Sequence, residues 1–247
     1  MEAKSLEEIL KPYLPPEGET TGGENQSPEA VPTLPRKTLS RFLRTVRVHN
    51  PYLSEDEGKR RMETAGFFPR YTEGTWEYLP EMVRSVVRKS LREEFLGDVS
   101  REPRGFFIYG RIGVGKSMLL GLMAQSVLRQ FAATVRFVSS GMLEELFFQF
   151  DDKKKQQVQE LKMCDALFLD DLGVEYGSDF SMTAFTNLFE YRYAHYKPTF
   201  VTCNYTIAEL SEIDGYARIA SRLNQENWML HLSYKGPDKR VRGEQKL

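Results

Sequence analysis

Eight residues constrain this 247-residue chain more than any other stretch: Gly110-Arg-Ile-Gly-Val-Gly-Lys-Ser117. They match G-x-x-x-x-G-K-[ST], follow directly on the apolar run GFFIY ending at Tyr109, and lead into a helical pattern carried by Leu119, Leu120, Met123 and Val127. Strand, glycine-rich turn and helix in that order make a phosphate cradle. Gly110, Gly113 and Gly115 lack the Cβ atoms that would keep backbone N–H groups away from phosphate oxygens. The following helix aims its positive end at the same anion. Arg111, Ile112, Val114 and Met118 complete the expected nucleotide cradle. Lys116 would reach the β- and γ-phosphates and the Ser117 hydroxyl would ligate Mg²⁺, so ATP and Mg²⁺ are the expected cofactors.

A second signal lies downstream. Ala166-Leu-Phe-Leu-Asp-Asp171 is a short apolar run closed by two carboxylates. In a parallel α/β sheet the ligand site lies at the carboxyl ends of the strands, which places Asp170 beside the phosphate loop, holding Mg²⁺ through its water shell. Asp171 faces the other way and can orient the water that attacks the γ-phosphate, or take its proton. A strand and helices intervene between the loop and this pair. That spacing predicts an additional strand between the two nucleotide-binding strands, the layout of ATPases that activate water and not of small nucleotide kinases. Thr199-Phe-Val-Thr-Cys-Asn204 ends another strand in a side-chain amide. Asn204 can hydrogen-bond the attacking water or the γ-phosphate, or serve only as a turn residue.

From residue 105 onward strands and helices alternate. Strands are expected at 105–109, 134–139, 166–169, 199–203 and 228–232. Helices are expected at 117–130, at 142–162 with a break near DDKKK, at 182–193, after Thr206 and at 216–223. The pattern predicts an α/β fold of the P-loop NTPase type, with a mostly parallel five-stranded sheet between helices. Upstream, Ser54 and Glu57 form a capping box and Ala65-Gly66 a helix stop. The aromatic loop FFPRYTEGTWEY follows, and then a helix opened by Pro80 with Met82, Val83, Val86, Val87 and Leu91 as its apolar stripe.

Residues 1–35 are acidic and, from 15 to 35, rich in Pro, Gly, Glu and Thr, a flexible segment and linker. In 38–49 the apolar face Leu39, Phe42, Leu43 and Val46 is flanked by Arg36, Lys37, Arg41, Arg44 and Arg47. This basic amphipathic helix either packs on the main domain or docks on an acidic partner or on phosphates. Three parts result: the 1–35 segment, a small helical partner-binding region at 36–66, and an ATPase domain at 67–247. With 34 Lys+Arg against 35 Asp+Glu, any nucleic-acid contact must come from local patches. No apolar run reaches the roughly 18 residues of a membrane span, and no secretory signal is visible. Cys164 and Cys203 give neither a disulfide framework nor a metal cluster, so a cytoplasmic location fits.

The loop GRIGVGKS, the strand end FLDDLG, the run FEYRYAHYKPTFVTCN and then ARIASRL, in this order, resemble the AAA+ ATPases of the DnaC/IstB type. These are bacterial replicative helicase loaders and ATPase helpers of transposons, encoded by cells, phages or mobile elements. The likeness covers roughly residues 65–245. It implies that Lys116 and Ser117 are the Walker A pair, Asp170 and Asp171 the Walker B acids and Asn204 the sensor-1 residue. It further implies that Arg222 is an arginine finger acting on a neighbouring subunit's nucleotide, with Arg218 one helical turn earlier as its partner or substitute. Arg240 falls at the sensor-2 position, where Lys239 or Lys235 could stand instead. The extra helix that the family carries between its second and third core strands falls in 141–162. There Phe147, Phe148 and Phe150 precede Lys153, Lys154 and Lys155, a pairing that suits single-stranded DNA. Spacing alone does not separate base stacking from core packing for these rings. Ser178 and Phe180 are placed by the same resemblance to meet DNA.

The reading that unites these signals is an ATP-dependent switch that assembles head to tail, holds single-stranded DNA and delivers a hexameric helicase in DNA replication. Its ATPase would be slow and stimulated by assembly or DNA. Alternatives are an ATPase helper that clamps double-stranded DNA for a transposase, a small-molecule kinase, for which no lid segment stands out, and a nucleotide-bound adaptor without turnover.

Overall fold

A computed structural model of the chain describes residues 54–79, 81–96, 104–130, 133–148, 152–173, 179–226 and 228–235. The chain divides into Met1–Thr33 and Leu34–Leu247, and every described residue lies in the second unit. The 15–35 linker and the basic helix expected at 38–49 fall outside the described residues.

Helix α1 (Glu55–Thr64) starts at Ser54, whose hydroxyl accepts from the Glu57 backbone N–H at 3.2 Å. The Glu57 carboxylate reaches forward to Arg61 at 3.1 Å. Then come α2 (Pro69–Thr72), a 3-10 turn at Trp76–Tyr78 and α3 (Glu81–Leu96). On α3, Val87 and Leu91 are buried but Val86 is half exposed, so the apolar stripe is narrower than its sequence suggests. The remaining elements alternate: β1 (Gly105–Tyr109), α4 (Lys116–Gln130), β2 (Val135–Ser139), α5 (Ser140–Phe148), α6 (Asp152–Met163), β3 (Ala166–Leu172), α7 (Asp179–Ala194), β4 (Thr199–Cys203), α8 (Ile207–Ser211), α9 (Ala217–Leu223) and β5 (Met229–Ser233). The expected capping box at α8 is complete, with Thr206 and Glu209 bonded reciprocally.

The five strands form one parallel sheet in the order β2-β3-β4-β1-β5. An additional strand does separate β1 from β3. It is β4, which follows both in sequence, whereas β2, which intervenes in sequence, sits at the sheet edge. Alternation along the strands splits the core into two layers. Phe106, Ile108, Phe137, Phe168 and Phe200 meet α1, α3 and α4 on one face. Phe107, Val138, Leu167, Leu169 and Val201 meet α5, α7 and α9 on the other. Phe106, Phe200 and Phe168 stack across β1, β4 and β3 with ring centroids 5.6 and 4.3 Å apart. Met62 and Ala65, at the end of α1, belong to the first layer, so the second half of the 36–66 region packs with the nucleotide-binding core. Among the described residues no helix is long and apolar enough to cross a membrane.

One charged side chain is buried in the second layer with no exposed area at all, Arg192 of α7. Its guanidinium donates to the carbonyls of Leu161, Lys162, Cys164 and Pro198 at 2.8–3.2 Å and to the Thr199 hydroxyl at 2.9 Å. Three of those carbonyls close the C-terminus of α6, where the helix dipole is negative, so oriented backbone oxygens balance the charge. The planar fork thereby fastens α6 and α7 to the start of β4. Arg192→Met should cost about 3 kcal/mol or more, because several buried carbonyls lose their donor. Arg192→Lys should rescue little of it, since one ammonium cannot span the set. Urea unfolding measures both, and a loss below about 1 kcal/mol in the methionine variant would show that water replaces the fork.

Candidate nucleotide-binding site

The carboxyl ends of β1, β3 and β4 converge on one place, and each delivers a polar side chain to it. The loop after β1 turns into α4 through Gly113 and Gly115, at φ 82° and 104°, a backbone state that side chains disfavour. Lys116 is 5% exposed, and its ammonium folds back over the loop. It donates to the carbonyls of Gly110 (2.8 Å) and Arg111 (2.9 Å) and to Oδ1 of Asn204 (2.7 Å). Asn204, just past β4, therefore lies against the loop. Val114 is buried beneath it, Arg111 and Ile112 stand exposed at its tip, and Met118 packs partly buried on the core.

On β3, Asp170 is 4% exposed and Asp171 is half-buried. The pairing of β3 with β4 slips between Leu169 and Leu172, and Asp171 takes a left-handed φ of 57°. A bulge of this kind re-aims a side chain, and here it separates the environments of two adjacent carboxylates. Thr202 of β4 holds it. Its hydroxyl accepts from the Asp171 N–H at 2.8 Å and donates to Asp170 Oδ1 at 2.5 Å. Ser140 donates to the Asp171 carbonyl at 2.7 Å. Ser117 and Lys116 lie near Asp170 and favour its charged form. The phenol of Tyr71 lies near Ser117 and Asp170.

Burial, and next the neighbouring Asp171 charge, lift the Asp170 carboxyl above the usual carboxylate range against the opposing pull of Thr202, Ser117 and Lys116. Burial, and next the Asp170 charge, likewise raise the Tyr71 phenol. A buried carboxylate beside a hydroxyl is a set of hard oxygen donors that suits Mg²⁺. Among the described residues no three acidic, His or Cys side chains cluster in a way that could hold a metal ion. An ammonium satisfied by carbonyl and amide oxygens can exchange them for phosphate oxygens.

The arginines lie along α7. Arg222 of α9 stacks over the Tyr193 ring at 5.0 Å and stands 3.9 Å from Glu190. Arg218 is exposed and lines an open cleft with Thr183, Thr186, Asn187 and Asp214. Phe147 corrects an expectation. It is 9% exposed and packs edge-on against Phe185 at 5.6 Å, so its ring fills the core and offers no face to a base. Lys153 and Lys155 are exposed on α6 and Lys154 is half-buried, with Lys155 paired to Asp152 at 3.0 Å. Phe150, Ser178, Lys239 and Arg240 lie outside the described residues, as do the side chains of Phe148 and Phe180. Lys235 is exposed after β5.

Two residues of this site escaped sequence reasoning. Thr202 carried a readable signal, since a hydroxyl inside an apolar strand needs a buried partner. Tyr71 carried none, because only the folded chain brings it to Ser117. The raised pKa of Asp170 has a consequence for stability. The native state binds its proton more tightly than the unfolded chain, so this carboxylate costs stability as pH rises from its ordinary value through its raised one. Asp170→Asn in the nucleotide-free protein should therefore raise the melting temperature by a few degrees at neutral pH, the gain vanishing near about pH 4. A variant that melts lower at pH 7 would overturn that electrostatic account.

Comparison with known proteins bears on the same region. The sequence model of the bacterial DnaA ATPase domain matches residues 97–228, just over half of the chain. The chromosomal replication initiator DnaA of Neisseria meningitidis serogroup B is 25% identical over 248 residues, covering 97% of this chain and 43% of its own length. The replicative helicase loader DnaI of Bacillus subtilis is 25% identical over 122 residues, 47% of this chain and 38% of that protein. The chain thus spans less than half the length of these relatives. A crystal structure of DnaI superposes with a TM-score of 0.55 at 22% identity, covering 68% of this chain and 95% of that one. The chain belongs to the bacterial DnaA ATPase-domain family and shares the fold of the helicase loader DnaI.

Proposed function

We propose that this protein is an ATP-driven switch of the helicase-loader type in DNA replication. The observation that carries the reading is the convergence of Lys116, Ser117, Asp170 and Asn204 from three strand ends. In this reading Lys116 pairs with the β- and γ-phosphates, and Ser117 and Asp170 hold Mg²⁺, which withdraws charge from the phosphates when bound. Asp171 orients the attacking water and accepts its proton, and Asn204 senses the γ-phosphate. Arg222 serves a neighbouring protomer in a head-to-tail assembly, a heterologous contact that forms open helices or rings. It must leave Tyr193 and Glu190 to do so, so isolated monomers should turn over slowly. Arg218 supports it from the preceding turn, and Arg240 or Lys235 completes the site in cis.

The partner-binding arm is the basic 38–49 helix, and the cargo a hexameric helicase. Single-stranded DNA is held by Lys153, Lys154 and Lys155, with Ser178 and Phe180 as further contacts. The likeness to the helicase loader DnaI supports this direction, and no observation favours a transposase partner.

Asp171→Asn should bind ATP normally but release phosphate about a hundredfold more slowly, the usual scale for a lost base. Normal turnover would remove Asp171 from the chemistry. The same stalled variant, used as bait with ATP, should capture a hexameric helicase, whereas capture of a transposase would replace the loader reading. Reversing the charge of Lys153, Lys154 and Lys155 together should weaken single-strand binding and flatten its salt dependence by about two in slope, at about 0.7 per phosphate contact. An unaltered slope would take DNA away from α6.

A further inference from the structure

Four consecutive residues at the end of β4 each reach a different part of the site. Thr202 holds the carboxylates of β3, and Asn204 takes the Lys116 ammonium. The other two, Cys203 and Tyr205, close on the turn that follows Asp171. Cys203 is fully buried and pairs with Leu172 in the sheet register. Its thiol donates to the Leu172 carbonyl at 3.1 Å, and its sulfur accepts the Tyr205 N–H at 3.4 Å. A side chain that accepts from the N–H two residues on closes the kind of turn that Ser and Thr hydroxyls make. Asn204 is the residue inside that turn. Beyond it, the ring of Tyr205 covers Gly173, where a Cβ would stand 3.2 and 3.4 Å from two ring carbons and 3.3 Å from Leu210. Tyr205 and Leu210 occupy the positions before and after the first turn of α8, so the capping box of Thr206 and Glu209 sets where the ring lies.

Gly173 sits at φ 90° and Asp171, two residues earlier, at φ 57°. A glycine restrains its own backbone less than any other residue, so the groups packed over it decide where this turn rests. We propose that Tyr205 is a positioning residue for hydrolysis, its ring pinning Gly173 and thereby holding the Asp171 carboxylate in place relative to Asn204. The proposal rests on the reading of Asp171 as the group that orients the attacking water. In that reading the sensing amide and the water-orienting carboxylate come from different strands, and the contacts of Cys203 and Tyr205 join them into one piece. Tyr205 is itself 38% exposed, so shortening it opens no cavity in the core.

The test is phosphate release by the full chain at saturating ATP and Mg²⁺, for wild type, Tyr205→Ala, Tyr205→Phe, Asp171→Asn and the double variant Tyr205→Ala/Asp171→Asn. Affinity for a non-hydrolysable ATP analogue is measured alongside. Tyr205→Ala should lower kcat roughly three- to tenfold, the scale of a catalytic group held out of line, with analogue affinity kept within about twofold. Tyr205→Phe keeps the ring and should turn over like wild type. In the double variant the loss of the ring should cost nothing beyond Asp171→Asn, because the ring acts through that carboxylate. A Tyr205→Ala rate equal to wild type, an equal loss in Tyr205→Phe, or a full further loss in the double variant would overturn the role of Tyr205. An Asp171→Asn variant that turns over normally, or a wild type that releases no phosphate, would bring down the underlying site reading instead.

Discussion

The hydroxyl of Thr202 makes two hydrogen bonds on which the geometry of the site depends. Accepting from the Asp171 N–H and donating to Asp170, it secures the point where β3 leaves register with β4. Without that bulge two consecutive residues of a strand would simply alternate, one to each face. With it, a buried carboxylate lies beside Ser117 while its neighbour, in a left-handed conformation, stays partly open to water. A non-glycine residue at positive φ is costly, and it persists here because Thr202 and Ser140 fix its backbone from both sides.

Stability and function are separated along the strands. At the amino ends Arg192 ties α6, α7 and β4 into one block, and Asp165 answers Thr134 through reciprocal bonds of 2.8–3.0 Å. At the carboxyl ends Asp170 is buried beside another carboxylate, and both effects disfavour its charged form. A carboxyl perturbed in this way beside a phosphate loop is the pattern expected of a functional site.

Much of this was legible in the sequence, for identifiable reasons. The five strands and the helix after the loop announced themselves because parallel strands buried on both faces read as unbroken apolar runs. That Lys116, Asp170 and Asn204 would come together was legible because a parallel sheet gathers the carboxyl ends of its strands on one edge. The sheet order was less so: an inserted strand was expected, but that β4 and not β2 fills the gap depends on crossovers that no local pattern encodes. Phe147 was ambiguous for a related reason, since a ring in the core and a ring against a base obey the same spacing. Arg192 looked like any surface arginine of a helix until its carbonyl partners, some 30 residues away in sequence, surrounded it. The aromatic segment 67–78, which carries Tyr71, has no periodicity to read.

The account stands on the claim that strand ends β1, β3 and β4 form a single site for a triphosphate and its metal. Calorimetric titration of ATP into the full chain, with and without Mg²⁺, tests this most directly. Saturable binding at one nucleotide per chain, strengthened by Mg²⁺ and lost in Lys116→Ala, is the predicted result. Binding that survives Lys116→Ala unchanged, or none at millimolar ATP and Mg²⁺, would contradict it.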